Sequence, residues 1–157
     1  MLKKYLFIFF LSMVPIIELR GAIPFAVNWE LNYWTSLTVC AIGNMLPVPI
    51  IYLFARKVLH WGADKKYIGK FFRFCIEKGE RGGQKLMKRA GRGGLFVALM
   101  LFVGIPVPGT GAWTGTLAAS FLNMGIRSTV TAVSLGVVIA GIIMGVASTG
   151  VFNIFGI

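Results

Sequence analysis

From Gly93 to Ile126 the chain has no charged residue, and in the middle of that run stands Gly104-Ile105-Pro106-Val107-Pro108-Gly109-Thr110-Gly111. The run exceeds one ordinary span of ~20 residues. Its centre cannot stay helical, because Pro lacks an N–H and clashes with the preceding turn, and Gly is entropically poor in a helix. Unwound backbone facing lipid leaves polar groups unsatisfied, so it persists only where protein buries it or where it lines a wet cavity. A helical hairpin that enters the membrane and returns meets this condition. The arms expected are Leu95–Val103 and Ala112–Asn123.

The other apolar stretches follow the same logic. Leu31–Ala55 and Ser128–Ile157 are also free of charge, and hydrophobic residues make up 57% of the 157. A soluble core helix needs a polar face, and these stretches have none. Tyr5–Trp29 is apolar but interrupted by Glu18-Leu19-Arg20-Gly21 and then Pro24. The expected fold is an all-α integral membrane protein: a re-entrant hairpin over 5–30, a transmembrane helix over 34–55, a basic loop over 56–92, a second re-entrant hairpin over 94–124 and a transmembrane helix over 127–150. The start, Lys3-Lys4 before an apolar run, resembles a signal peptide without a small-x-small cleavage site, so the segment is expected to be retained.

The net charge of +11 sits almost wholly in that loop; of the 16 Lys and Arg, only Lys3, Lys4, Arg20 and Arg127 lie outside Arg56–Arg92. A basic segment between apolar spans reads as a cytoplasmic loop under the positive-inside rule, rather than as a nucleic-acid surface. Within it, Tyr67, Ile68, Phe71, Phe72 and Cys75 recur at helical spacing, predicting an amphipathic helix over Asp64–Lys78 that lies on the inner leaflet. Gly79–Gly94, rich in Gly, Lys and Arg, is expected to be mobile.

A weak internal repeat pairs hairpin with hairpin and span with span. Gly21-Ala22 aligns with Gly111-Ala112, Thr35-Ser36-Leu37-Thr38 with Ser128-Thr129-Val130-Thr131, and Gly43 with Gly136. A hairpin plus one span ends on the opposite side from its start, so two such units are related by inversion, a recurrent transporter plan. With the basic loop inside, the first hairpin enters from outside; the alternative keeps Lys3 and Lys4 inside and lets Tyr5–Trp29 cross as a broken span.

Glu18 and Arg20 are the sharpest candidates for function. An ionisable group at bilayer depth is costly and is functional by default; the competing reading is a Glu–Arg pair that only stabilises its own turn. A desolvated Glu18 suits a proton carrier, and Arg20 suits a carboxylate or phosphate. The second constellation is Pro106, Pro108, Gly109, Thr110, Trp113 and Thr114, where the amides opening the helix at Ala112 make an anion-friendly end. Its competing reading is a turn needed only for folding. Asn44, mid-span beside Pro47 and Pro49, either lines the cavity or bonds a neighbouring helix. Gly141-x-x-x-Gly145 offers a small-residue face for close helix approach and dimerisation.

Pro15-Ile16-Ile17-Glu18-Leu19-Arg20-Gly21-Ala22-Ile23-Pro24 and Gly104-Ile105-Pro106-Val107-Pro108-Gly109-Thr110-Gly111-Ala112-Trp113-Thr114-Gly115 resemble the two motifs of the bacterial and archaeal small multidrug export family. Length, basic loop and flanking spans fit as well. That family is similar, more remotely, to the DedA/VTT membrane proteins, which have two re-entrant hairpins and are implicated in moving polyprenyl phosphate and other lipids between leaflets, often with proton coupling. The resemblance implies a transport role, with Glu18, Arg20 and the Pro106–Gly115 turn in the site.

The expected function is therefore membrane transport: small-molecule or multidrug export or lipid-headgroup translocation coupled to protons, with a DedA-like lipid flippase or scramblase, or a small scaffold subunit, as alternatives. An enzyme is not expected, because there is no histidine near the break, no paired aspartates and no Ser–Lys arrangement in an apolar segment. His60 is the only histidine, which leaves no metal site, and no cofactor is expected. Cys40 and Cys75 fall in opposite environments, so no disulfide is expected. The partners expected are the bilayer of the cytoplasmic membrane, crossed more than once, a small-molecule or lipid substrate, and, from size alone, a second copy in a homodimer; nucleic acid is not among them.

Overall fold

The computed structural model describes residues 1–65, 69–107 and 109–155, and for 75, 79, 80, 82, 83, 86, 87 and 151–155 it describes the backbone only. Among these described residues seven helices follow in order: α1 Leu2–Met13, α2 Glu18–Asn28, α3 Tyr33–Met45, α4 Pro47–Ala63, α5 Gly69–Gly104, α6 Ala112–Phe121 and α7 Ile126–Phe155. No strand occurs among the described residues.

Each apolar run that is broken in sequence folds back on itself. Phe7 meets both Phe25 and Trp29, and Lys4 lies over the Trp29 ring, so α1 and α2 run antiparallel about the Val14–Ile17 turn. The end of α5 and α6 do the same about the second break, where Leu99 and Val103 flank Gly115. Two longer stretches are apolar enough to cross a bilayer: Tyr33–Ala63, which joins α3 and α4 over 31 residues, and Ile126–Gly150 with 25. Leu46, between α3 and α4, keeps helical backbone angles and its amide still reaches the Ile42 carbonyl at 3.1 Å. Pro47 and Pro49 therefore sit inside a rod that continues past the expected limit at residue 55, because a helix need not stop where its charge-free stretch does.

α7 runs through the centre, against α2, α3, α5 and α6. Close approach depends on glycines at matching places. A Cβ on Gly43 of α3 would stand 2.6 Å from the Phe9 carbonyl oxygen of α1, and one on Gly136 of α7 would stand 2.7 Å from the Met100 carbonyl oxygen of α5. Each lacks a side chain so that a helix can press on the first arm of a hairpin.

Two expectations are corrected. The small face of Gly141 and Gly145 is filled from within the chain: the Tyr33 ring lies on Gly145, Leu37 and Leu19 lie on Gly141, and the Tyr33 hydroxyl donates to the Gly141 carbonyl at 3.0 Å. A homodimer cannot use that face. The stretch 79–94, expected to be mobile, is helical throughout except at Gly91, whose φ of 69 places the kink in α5. Lys and Arg are good helix formers, and isolated glycines lower helix propensity without forbidding it. Of the amphipathic face expected over Asp64–Lys78, Phe72 packs on Gly62, while Phe71 stays exposed; Tyr67, Ile68 and the Cys75 side chain lie outside the described residues.

Apolar side chains face outward in number, with Ile50, Phe54 and Val146 about two-thirds exposed. The buried set includes Glu18, Asn44, Ser12, Ser36, Thr116 and Thr129. Charge inside and hydrocarbon outside is the arrangement that lipid, not water, selects.

Candidate functional site

The first break is a tight turn. Val14 takes the extended conformation that Pro15 requires of its neighbour. Ile16 and Glu18 then adopt left-handed backbone angles, with φ of 77 and 49. For non-glycine residues each costs on the order of 1–3 kcal/mol and persists only where the surroundings impose it. The consequence is directional: the chain re-enters helix at Glu18, and Glu18 and Arg20, two residues apart, leave α2 on different sides.

The second break is closed by its own loop. Thr110 donates its hydroxyl to the carbonyls of Ile105 at 2.8 Å and Val107 at 2.9 Å, and Gly109 supplies a φ of 87. α5 therefore ends with its last carbonyls turned inward, and α6 begins with unsatisfied amides at Ala112 and Trp113. Gly111 precedes them and provides no side-chain cap.

Glu18 and Arg20 reach across to these two helix ends. The Ala112 amide donates to Glu18 Oε2 and the Trp113 amide to Glu18 Oε1, both at 3.1 Å. Gly111 leaves room beside them, where a Cβ would overlap the carboxylate in this position. Arg20 donates to the carbonyls of Val103 and Ile105 at 3.2 Å, to those of Val107 and Thr110, and to the Thr110 hydroxyl at 3.0 Å. The anion thus sits at the positive end of α6 and the cation on the negative end of α5, the sense the helix dipoles favour. Charge-assisted hydrogen bonds of this kind contribute about 1.5–3 kcal/mol each.

Among the described residues Glu18 and Arg20 form no direct ion pair. The pair does not brace its own turn; in this conformation the α6 amides are held by Glu18 and the Arg20 guanidinium by oxygens of the second break. The amides do point into the break, and the anion they hold is the chain's own.

Around this clasp the remaining candidates divide. Asn44 is buried in the same small space, lined also by Val103, Val137 and Ala140, with no room for a water molecule. Among the described residues its Oδ1 has no partner, and neither has the buried Trp113 Nε1. Thr114 is exposed and donates to the Gly111 carbonyl at 3.2 Å. Pro106 is half-buried in the loop, Gly109 is exposed, and Pro108 lies outside the described residues. Sequence reasoning did not point to Val103, Val137 and Ala140, since nothing distinguishes them from other apolar residues. Ser36, buried with its Oγ unpartnered, was visible only as part of the repeat.

No curated protein and no solved structure matches the chain. A family model described as "Putative small multi-drug export protein" matches residues 18–143, so that the match opens on Glu18, where the chain leaves the first break, and takes in the second break and more than half of α7. The chain is therefore a membrane protein of the small multi-drug export family.

Proposed function

We propose that the chain exports a small molecule across the cytoplasmic membrane, and that the Glu18–Arg20 clasp on the second break is its closed gate. The observation that carries this is the reciprocal capping: two interruptions of apolar helix hold each other by one carboxylate and one guanidinium. Two re-entrant hairpins, each followed by a span in inverted orientation, would bring the breaks together at mid-membrane. The matched roles of Gly43 and Gly136 support such a repeat.

The clasp opens when Glu18 takes up a proton. A neutral carboxyl loses the charge that the α6 amides hold, and the two hairpins part. Asn44 Oδ1 and Trp113 Nε1, unpartnered in the closed form, then contribute to binding substrate. Loss of the proton to the other side restores the clasp and completes a coupled cycle.

The test is efflux of ethidium from proteoliposomes under an imposed proton gradient. Glu18→Gln is expected to abolish the gradient-dependent component while the protein stays folded. Unchanged gradient-driven efflux excludes Glu18 as the coupling group. A second reading, translocation of an anionic lipid headgroup, is favoured by one fact: the α6 amides already hold a carboxylate, and an incoming phosphate could replace it beside Arg20. Scrambling of fluorescent phosphatidylglycerol by the same vesicles, lost in Arg20→Gln, would select it.

A further inference from the structure

Away from the clasp, three arginines from three helices converge on the α6–α7 turn. Arg56 of α4 donates to the Asn123 side chain and lies over the Tyr52 ring, and the Tyr52 hydroxyl donates to the Met124 carbonyl. This fixes the turn, including Asn123 with its left-handed φ of 56. Beside it opens a cavity of about 410 Å³ whose lining includes Arg92 of α5 and Arg127 of α7 with Asn123 and Ser128, and no acidic residue. Among the described residues neither the Arg92 nor the Arg127 side chain has an ion-pair or hydrogen-bond partner, and the ion pair present, Arg81–Glu77, lies elsewhere on α5.

The floor of this cavity is apolar. Leu95 and Met124 line it and also line a second groove of about 170 Å³, which continues between α5 and α6 past Ala98 to Phe102. The sequence fixes the depth of both parts. Arg92 is the last charge before the apolar run of α5, and Arg127 is the lone charge between the two charge-free runs. The pair therefore marks the membrane boundary, and the groove descends from it into hydrocarbon.

We propose that this is a binding site for an anionic phospholipid, its phosphate between Arg92 and Arg127 and one acyl chain along the groove. Charge complementarity selects an anion, and the continuous apolar groove selects one bearing a hydrocarbon chain over a free phosphate. The site is distinct from the clasp and shares no residue with it. An anionic lipid bound here would tie α5 and α6, the arms of the second hairpin, to the N-terminal end of α7.

The test is native mass spectrometry of the full chain, released from detergent with phosphatidylglycerol, phosphatidylcholine or glycerol phosphate. Phosphatidylglycerol is expected to bind on the order of tenfold more tightly than phosphatidylcholine. R92A/R127A should erase that preference. Ala98→Trp, at an exposed position in the groove, should weaken both lipids while leaving the arginines intact. R92Q alone, also at an exposed position, should reduce the preference in part, which keeps the test decisive if the double variant does not fold. Equal binding of the two lipids, a preference that survives R92A/R127A or R92Q, or glycerol phosphate binding as tightly as the lipid would each overturn the proposal.

Discussion

The clasp and the basic cavity both use arginine, yet they spend it differently. At the clasp the Arg20 hydrogen bonds go to backbone and side-chain oxygens of the end of α5 and the loop after it, and no water-sized void remains. At the α6–α7 turn Arg92 and Arg127 face open volume with their donors unspent. The difference follows from depth. Within apolar helices a charge is tolerated only when the protein solvates it, so Glu18 and Arg20 are bound into the fold. At the boundary water and lipid headgroups can solvate a charge, and the arginines keep their capacity for a ligand.

The comparison breaks most sharply at Glu18. Glu18→Leu leaves the Ala112 and Trp113 amides buried with no acceptor, and is expected to destabilise the fold by about 3 kcal/mol, read from unfolding in mild detergent. A loss below about 1 kcal/mol would mean that the carboxylate does not cap α6. Arg20→Lys should cost about 2 kcal/mol, because an ammonium cannot fork across the carbonyls that the guanidinium spans. Arg92→Lys, by the same reasoning, should leave stability unchanged.

The matched glycines sharpen the comparison further. Gly43→Ala and Gly136→Ala each bring a methyl against a backbone carbonyl, and each should cost about 1–3 kcal/mol. Similar losses would support equivalent positions in a repeat, and a large loss at one alone would argue against it. The smallest effect is expected at Arg81→Ala. Its partner Glu77 lies one turn away at 3.6 Å with both side chains mostly exposed, and such pairs contribute only about 0.3–0.5 kcal/mol.

How much of this was legible in the sequence depends on which atoms carry the interaction. Pro106, Pro108 and the glycines around them mark the second break; the first, read at Glu18–Gly21 and Pro24, falls instead at Val14–Ile17, with Pro24 inside α2, and Glu18 and Arg20 stand out because they interrupt apolar runs. Their partners do not stand out. Glu18 binds backbone amides and Arg20 chiefly backbone carbonyls, groups that every residue has, so residue types alone do not name these partners. The Gly141–Gly145 face was recognisable as a packing surface, but that Tyr33 fills it depends on a tertiary fold that residue spacing does not encode. The helix through 79–94 was hidden because glycines suggest a loop while the Lys and Arg between them sustain α5. Arg92 reads as the end of the topology-setting basic loop and Arg127 as a charge outside it, and only the fold brings them to one cavity.

The central claim is that Glu18 caps α6 across the two breaks. Solid-state NMR in lipid bilayers tests it directly, through the dipolar coupling between the Glu18 carboxyl carbon and the Trp113 amide nitrogen in protein labelled at those two sites. The account requires a separation below about 4 Å, as a hydrogen bond of 3.1 Å between Trp113 N and Glu18 Oε1 imposes. No measurable coupling, in unmodified protein at neutral pH, would contradict it.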